Sequence, residues 1–184
     1  MSWRHHRPRR GFARDVCRGP SADDAVTTSL RLAIFAAALS GLAEAAPARI
    51  SEAEVRAFVA RQEKAWNAGD VAGFFAMATP DAVFTDRARA KDGRVVVYGA
   101  STVAQARAQA SRFFAKSHTR ETVTIGSVQI APDGRSARIL GHEDAIQTTA
   151  SHTRQLCAET DQTVVATSAG LRSKGQIETL TPCR

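Results

Sequence analysis

Two stretches of this chain hold side chains whose types and spacing could do proton chemistry. Trp66-Asn67-Ala68-Gly69-Asp70 reads as a helix end, a tight turn and the cap of a second, short helix. Eleven residues on, Asp81-Ala82-Val83-Phe84-Thr85-Asp86 reads as a strand that finishes on a carboxylate. The second stretch is His142-Glu143-Asp144. An Asp that orients a His makes a general base, because imidazole titrates near neutral pH. Two strand registers fit the stretch. One turns Leu140, His142, Asp144 and Ile146 inward; the other turns Ile139, Gly141, Glu143 and Ala145 inward and leaves His142 and Asp144 in solvent. Tyr98, the one tyrosine, could donate into a cavity or sit at a strand edge in water. The His-Glu-Asp run lacks metal-ligand spacing, and His118 and His152 stand alone, so a metal site is not expected. No Ser or Cys triad and no glycine-rich phosphate loop is present, and no cofactor is expected.

The elements that must position these groups can be read from capping and periodicity. Ser51-Glu52-Ala53-Glu54 is a capping box, with Ile50 and Val55 placed as a hydrophobic staple. Val55, Phe58, Val59, Gln62 and Trp66 recur at helical spacing as one face. Gly69 ends that helix and Asp70 caps the next, Val71 to about Met77, which stops at Thr79-Pro80. Ala82–Asp86 and Arg94–Tyr98 are short strands around the Lys91-Asp92-Gly93 turn. A third helix opens at Gly99-Ala100-Ser101, with Val103, Ala106, Ala110, Phe113 and Phe114 on its buried face.

From His118 onward the period is two, and the phase slips at Gly126-Ser127, which predicts a β-bulge and a bent sheet. Pro132-Asp133-Gly134 is a turn. Arg135–Thr149, Arg154–Ser168 and Gly175–Thr181 complete a mostly antiparallel sheet. Helices first and a bent sheet after give α+β with segregated layers and a pocket between them.

The formal charge of +7 does not imply nucleic acid. Seven arginines and four acids precede residue 46, which leaves 18 basic and 14 acidic residues scattered singly, without a basic stripe. Leu32–Leu42 is an apolar core of about eleven residues after Arg31 and before Ala43-Glu44-Ala45. That is the pattern of a secretory signal peptide, too short to span a bilayer. Residues 30–45 are therefore assigned to the signal, with cleavage after Ala45 favoured over Ala48. Residues 46–184 are the domain, exported to the periplasm or secreted, with no membrane attachment after cleavage. Residues 1–29 are a polar, Arg- and Pro-rich extension. Its Arg9-Arg10 pair suggests a twin-arginine signal but lies far from the apolar core, and a start codon placed too far upstream explains the length as well.

Export leaves Cys157 and Cys183 as a pair in an oxidising compartment. A turn at Gly170 places them equidistant and able to bridge; a turn at Arg172–Gly175 shifts the register and makes Cys183 reach past the hairpin.

The order from Val55 to Asp86 resembles the NTF2-like family of cone-shaped (cystatin-like) α+β domains, three helices packed on a bent sheet. Within it, the Asn-Ala-Gly-Asp turn followed by Ala82-Val83-Phe84-Thr85-Asp86 is most similar to the SnoaL-like and ketosteroid-isomerase-like branch. The resemblance implies Asp86 as general base, Gln62 where that branch carries a donor tyrosine, and Asp161, in Ala158-Glu159-Thr160-Asp161, as a second acid. It also implies a small-molecule ligand in the cone, lined by Phe58, Gln62, Trp66, Tyr98 and Asp144. Catalysis is optional. If present, it is cofactor-independent isomerisation, dehydration or cyclisation by Asp86 with His142 or Asp161. A homodimer formed face to face is the further expectation.

Overall fold

The computed structural model describes residues 49–183; the expected N-terminal extension, signal peptide and cleavage site lie outside them. Helix α1 (Glu52–Asn67) starts on the capping box. The Ser51 amide donates to Glu54 Oε2 at 2.8 Å, and the Ser51 hydroxyl accepts from the Glu54 amide at 3.3 Å. Ile50 and Val55 close the staple and are both buried. Asp70 caps α2 (Val71–Ala76) by accepting from the Gly73 amide at 2.8 Å. A second capping box, Thr102 with Gln105, opens α3 (Val103–Phe114).

Six strands form one sheet: β1 (Ala78–Arg89), β2 (Val95–Thr102), β3 (Ser117–Ile130), β4 (Ser136–Thr149), β5 (Thr153–Thr167) and β6 (Gly170–Thr181). Their order is β2-β1-β6-β5-β4-β3. Every neighbouring pair is antiparallel except β1 with β6, which is parallel. β1 runs longer at both ends than the expected Ala82–Asp86. Its first residues hold Pro80, which lacks an N–H, and there the ladder with β6 skips from Ala78 to Val83. The expected bulge is present, with Gly126 the extra residue between the pairs Ile125–Gly141 and Ser127–Leu140. β6 starts earlier than expected, at Gly170, because the hairpin turns between Thr167 and Gly170.

The core lies between α1 and the sheet. Val55, Phe58 and Val59 pack on Ala137 and Ile139 of β4 and Val164 of β5. The strand residues among these alternate with outward ones, as a half-buried sheet requires. At the far edge, β2 leaves Val95, Val96, Val97 and Tyr98 exposed.

Cys157 and Cys183 are bridged, with a Cα–Cα distance of 5.2 Å. Cys157 faces Thr181 in the ladder rather than Cys183, because the hairpin turns between Thr167 and Gly170 and not around Gly170. The bridge closes a separation of 26 residues, and such a loop restrains the unfolded chain by about 3 kcal/mol. Cys183→Ser is therefore expected to lower unfolding free energy by about that much in urea titrations. Equal midpoints for the variant and the bridged protein would contradict it.

Candidate functional site

A cavity of about 290 Å³ opens between the three helices and the inner face of the sheet. Its helix side is apolar: Trp66 from α1, Phe74 and Phe75 from α2, and Ala106, Ala110 and Phe113 from α3. These aromatics hold one another. The Trp66 ring lies 5.0 Å from Phe74, 5.0 Å from Phe114 and 6.3 Å from Phe113.

The sheet side is polar. Inward positions of successive strands supply Asp86 (β1), Glu178 (β6), Glu143 (β4) and Glu121 (β3), and α1 adds Glu63. Asp86 and Glu178 are direct partners in the parallel ladder. Asp86 also faces Gly99, where a Cβ would stand 2.7 Å from its carboxylate oxygen. The missing side chain at position 99 thus gives the carboxylate its place.

Glu121 and Glu143 lie diagonally across β3 and β4, close enough for their carboxyl groups to hydrogen-bond. Burial strips water from Glu143, and the neighbouring Glu121 and Glu178 charges oppose its ionisation, so its pKa is pushed up to about 9. Glu121 is raised to about 7, by burial first and then by the charges of Glu178 and Glu63. Glu178 is raised by burial and by Asp86. Like carboxylates in a dry site cannot all be charged together. At neutral pH Glu143 therefore keeps its proton and donates it to Glu121.

Two amides complete the floor. Gln162 Nε2 donates to Gln62 Oε1 at 3.0 Å and to Ser173 Oγ at 3.1 Å. The Ser173 hydroxyl is itself held by Gly175, donating to its carbonyl at 3.2 Å and accepting from its amide at 3.1 Å. Gly175 has φ +126, and a Cβ there would lie 1.9 Å from the Val83 carbonyl oxygen, so only glycine fits. This chain of bonds sets the orientation of both amides. It leaves the Gln62 Nε2 without a partner among the described residues, on the cavity wall.

Of the residues singled out in the sequence, Asp86, Gln62 and Trp66 line the cavity. Phe58 does not; it is 1% exposed, in the core beneath the sheet. Tyr98 is the extra residue between the pairs Asp86–Gly99 and Arg87–Val97 and is largely exposed outside the cavity. Its phenol is raised by partial burial, then by the Asp86 and Glu178 charges.

The placement of His142, Asp144 and Asp161 is a correction. β4 adopts the register with Ile139, Glu143 and Ala145 inward, because Ala137, Ile139 and Ala145 are buried there. His142 and Asp144 consequently stand on the outer face, their side chains half exposed and 3.6 Å apart. Asp161 faces outward opposite Leu140 and is bound by both arms of Arg138, at 2.9 and 2.6 Å. That guanidinium lowers its pKa. His142, Asp144 and the Cys157 sulfur gather within 4.8 Å, but the sulfur belongs to the disulfide and is not a thiolate.

Glu121, Glu178 and Gln162 were missed in the sequence, and Glu143 stood inward in only one of the two registers it allowed. A usable signal existed for Glu121, which shares the phase of Val123 and Ile125.

Known structures share this layout. A conserved protein from Planctomyces limnophilus superposes with a TM-score of 0.61 at 16% identity, over 72% of this chain and 97% of that one. An NTF-2 like protein of unknown function from Shewanella oneidensis superposes at 0.51 and 13% identity, over 69% and 97%. The chain has the NTF2-like fold. A ketosteroid isomerase-like protein from Erwinia carotovora also superposes, at 0.57 and 12% identity, over 71% and 96%. No protein-family model matches the sequence, and no curated protein matches it. At these identities the likeness is one of fold, and an NTF2-like fold alone does not assign chemistry.

The carboxyl pair makes a pH prediction. Folded Glu143 and Glu121 hold protons that the unfolded chain releases near 4.5, up to folded values of about 9 and about 7. The native state binds more protons across that window, so stability falls as pH rises through it. Urea midpoints should drop from pH 5 to pH 9, and Glu143→Gln should flatten the decline and exceed wild type at pH 9. Parallel pH profiles for the two proteins would refute the assignment.

Proposed function

We propose that this NTF2-like chain binds one small molecule with an apolar body in its cone. The observation that carries the reading is the cavity itself, with an aromatic helix wall facing a floor of a few oriented polar groups. That division of labour is common to small-molecule sites, where apolar area supplies affinity and the polar groups fix orientation. The compartment is the periplasm or the exterior, where a bridge such as Cys157–Cys183 forms and persists. Isolation of the chain from cytosol with both thiols free would count against that compartment.

A second reading, catalysis, is favoured by one observation: Asp86 and the buried Glu143, whose pKa is raised, line the same cavity. Asp86 would take a proton next to a carbonyl, while Glu143 and the free Gln62 amide would donate to the oxygen that gains charge. Ketosteroid isomerase divides the work between an Asp base and a protonated Asp donor in this way. Such an enzyme would be an isomerase or dehydratase without a cofactor, with neither His142 nor Asp161 as a member.

Ala106→Trp separates binding from its absence, because an indole at Ala106 fills space beside Phe113. Wild type should bind a polarity-sensitive naphthalene dye at one site, and Ala106→Trp should weaken it at least tenfold with the fold intact by circular dichroism. Equal binding by both proteins would show that the dye sits elsewhere and would overturn the reading. Asp86→Asn should leave dye affinity within about twofold, whereas on the catalytic reading it would abolish turnover of a carbonyl substrate.

A further inference from the structure

We propose that the cavity selects an organic cation, an alkylammonium on an aromatic or aliphatic body that also carries a hydroxyl or carbonyl oxygen. This rests on the small-molecule reading above and names the ligand's charge and polar pattern. The charged groups facing the cavity are all acids: Glu63 from α1, Asp86 from β1, Glu121 from β3, Glu143 from β4 and Glu178 from β6. α2, α3 and β5 contribute no charge, and among the described residues no Lys, Arg or His lines the space. Around it, the Tyr98 phenol lies near Asp86 and Glu178, and Asp144 bears on Glu143 from the outer face.

Glu121, Glu143 and Glu178 lie buried together without countercharge, which raises their pKa values. An ammonium group placed among them would supply the missing charge, and the ring faces of Trp66 and Phe113 would attract the same cation. The acids do not stand as the sole sign of a ligand. Gln62 is 6% exposed, yet its Nε2 lies on the cavity wall without an acceptor. An oxygen on the ligand would accept from this amide. The cation and the oxygen acceptor are thus two separate demands of one cavity.

A cation entering here favours the ionised acids, so its binding must expel protons. The titratable groups facing the cavity all have the same sign, so affinity for a cation should rise with pH up to the ligand's own pKa.

Three probes of one shape test the idea: 2-amino-1-phenylethanol, 1-phenyl-1,2-ethanediol and mandelate, which present a cation, a neutral group and an anion. Calorimetry at pH 7 in two buffers of different ionisation enthalpy reads affinity and proton release together. The proposal expects the amine to bind at least tenfold tighter than the diol, mandelate not at all, and protons to be released with the amine. Glu143→Gln should reduce that release. The diol binding as well as the amine, or the amine binding without proton release, would overturn the charge preference while leaving the cavity reading intact. None of the three binding while the naphthalene dye still does would overturn it too. Failure of the dye itself would remove the cavity reading, and this one with it. The decisive comparison uses wild type, so it survives a variant that does not fold.

Discussion

The side chain of Asn67 joins the helix layer to the edge of the sheet. Its Nδ2 donates to the Glu121 carbonyl at 2.8 Å, and its Oδ1 accepts from the Glu121 amide at 2.7 Å. One residue of α1 thereby satisfies both backbone groups of a residue on β3, an outermost strand whose backbone would otherwise stand open. Glu63 supports the same edge by accepting from the Val123 amide at 3.3 Å. Each such bond is worth about 1 kcal/mol net, but they also fix geometry. They set the height of α1 over the strands, and the cavity is the space left beneath it, with the Glu121 carboxyl turned into that space.

Much of the chemistry follows from where that height puts the acids. A helix packed closer would fill the cone with Trp66 and Phe113 and force the carboxyls out. A looser one would let water in and return Glu121 and Glu143 to ordinary acidity. At the observed spacing the pKa values of both carboxyls are raised, Glu143 keeps its proton at neutral pH, and no basic residue among the described ones lines the space to neutralise them. The Gly175–Ser173–Gln162–Gln62 chain of hydrogen bonds does the equivalent work for the amides. A site with preset donors and mutually repelling acids is organised for a ligand before one arrives, which lowers the ordering cost of binding.

The parts of this structure legible in the sequence are those governed by local chemistry. The Ser51–Glu54 box, the Gly69 turn, the Asp70 cap and the Gly126 bulge each depend on a few neighbouring residues, and each stands where expected. The bridge was legible by the count of cysteines, although the ladder opposite Cys157 holds Thr181, since the hairpin turns between Thr167 and Gly170 and not around Gly170. The register of β4 was not legible. Both of its faces carry an acid and an aliphatic residue, so alternation alone cannot choose between His142 and Glu143. The choice is made by Ala137 and Ile139 packing under Val55 and Phe58, residues some eighty positions away. For the same reason the site was read as one carboxylate, Asp86. Glu178 joins it through the parallel β1–β6 pairing, which no short-range pattern announces.

The account stands or falls on the protonation of the cavity floor. Carboxyl-carbon NMR titration of Glu143, assigned by its loss in Glu143→Gln, addresses that directly. The account predicts a resonance still in its protonated position at pH 7, moving only toward about pH 9. A midpoint near the model-peptide value of about 4.3 would mean a solvated, fully charged floor. That result would contradict the proton-holding floor and the release of protons expected when a cation binds.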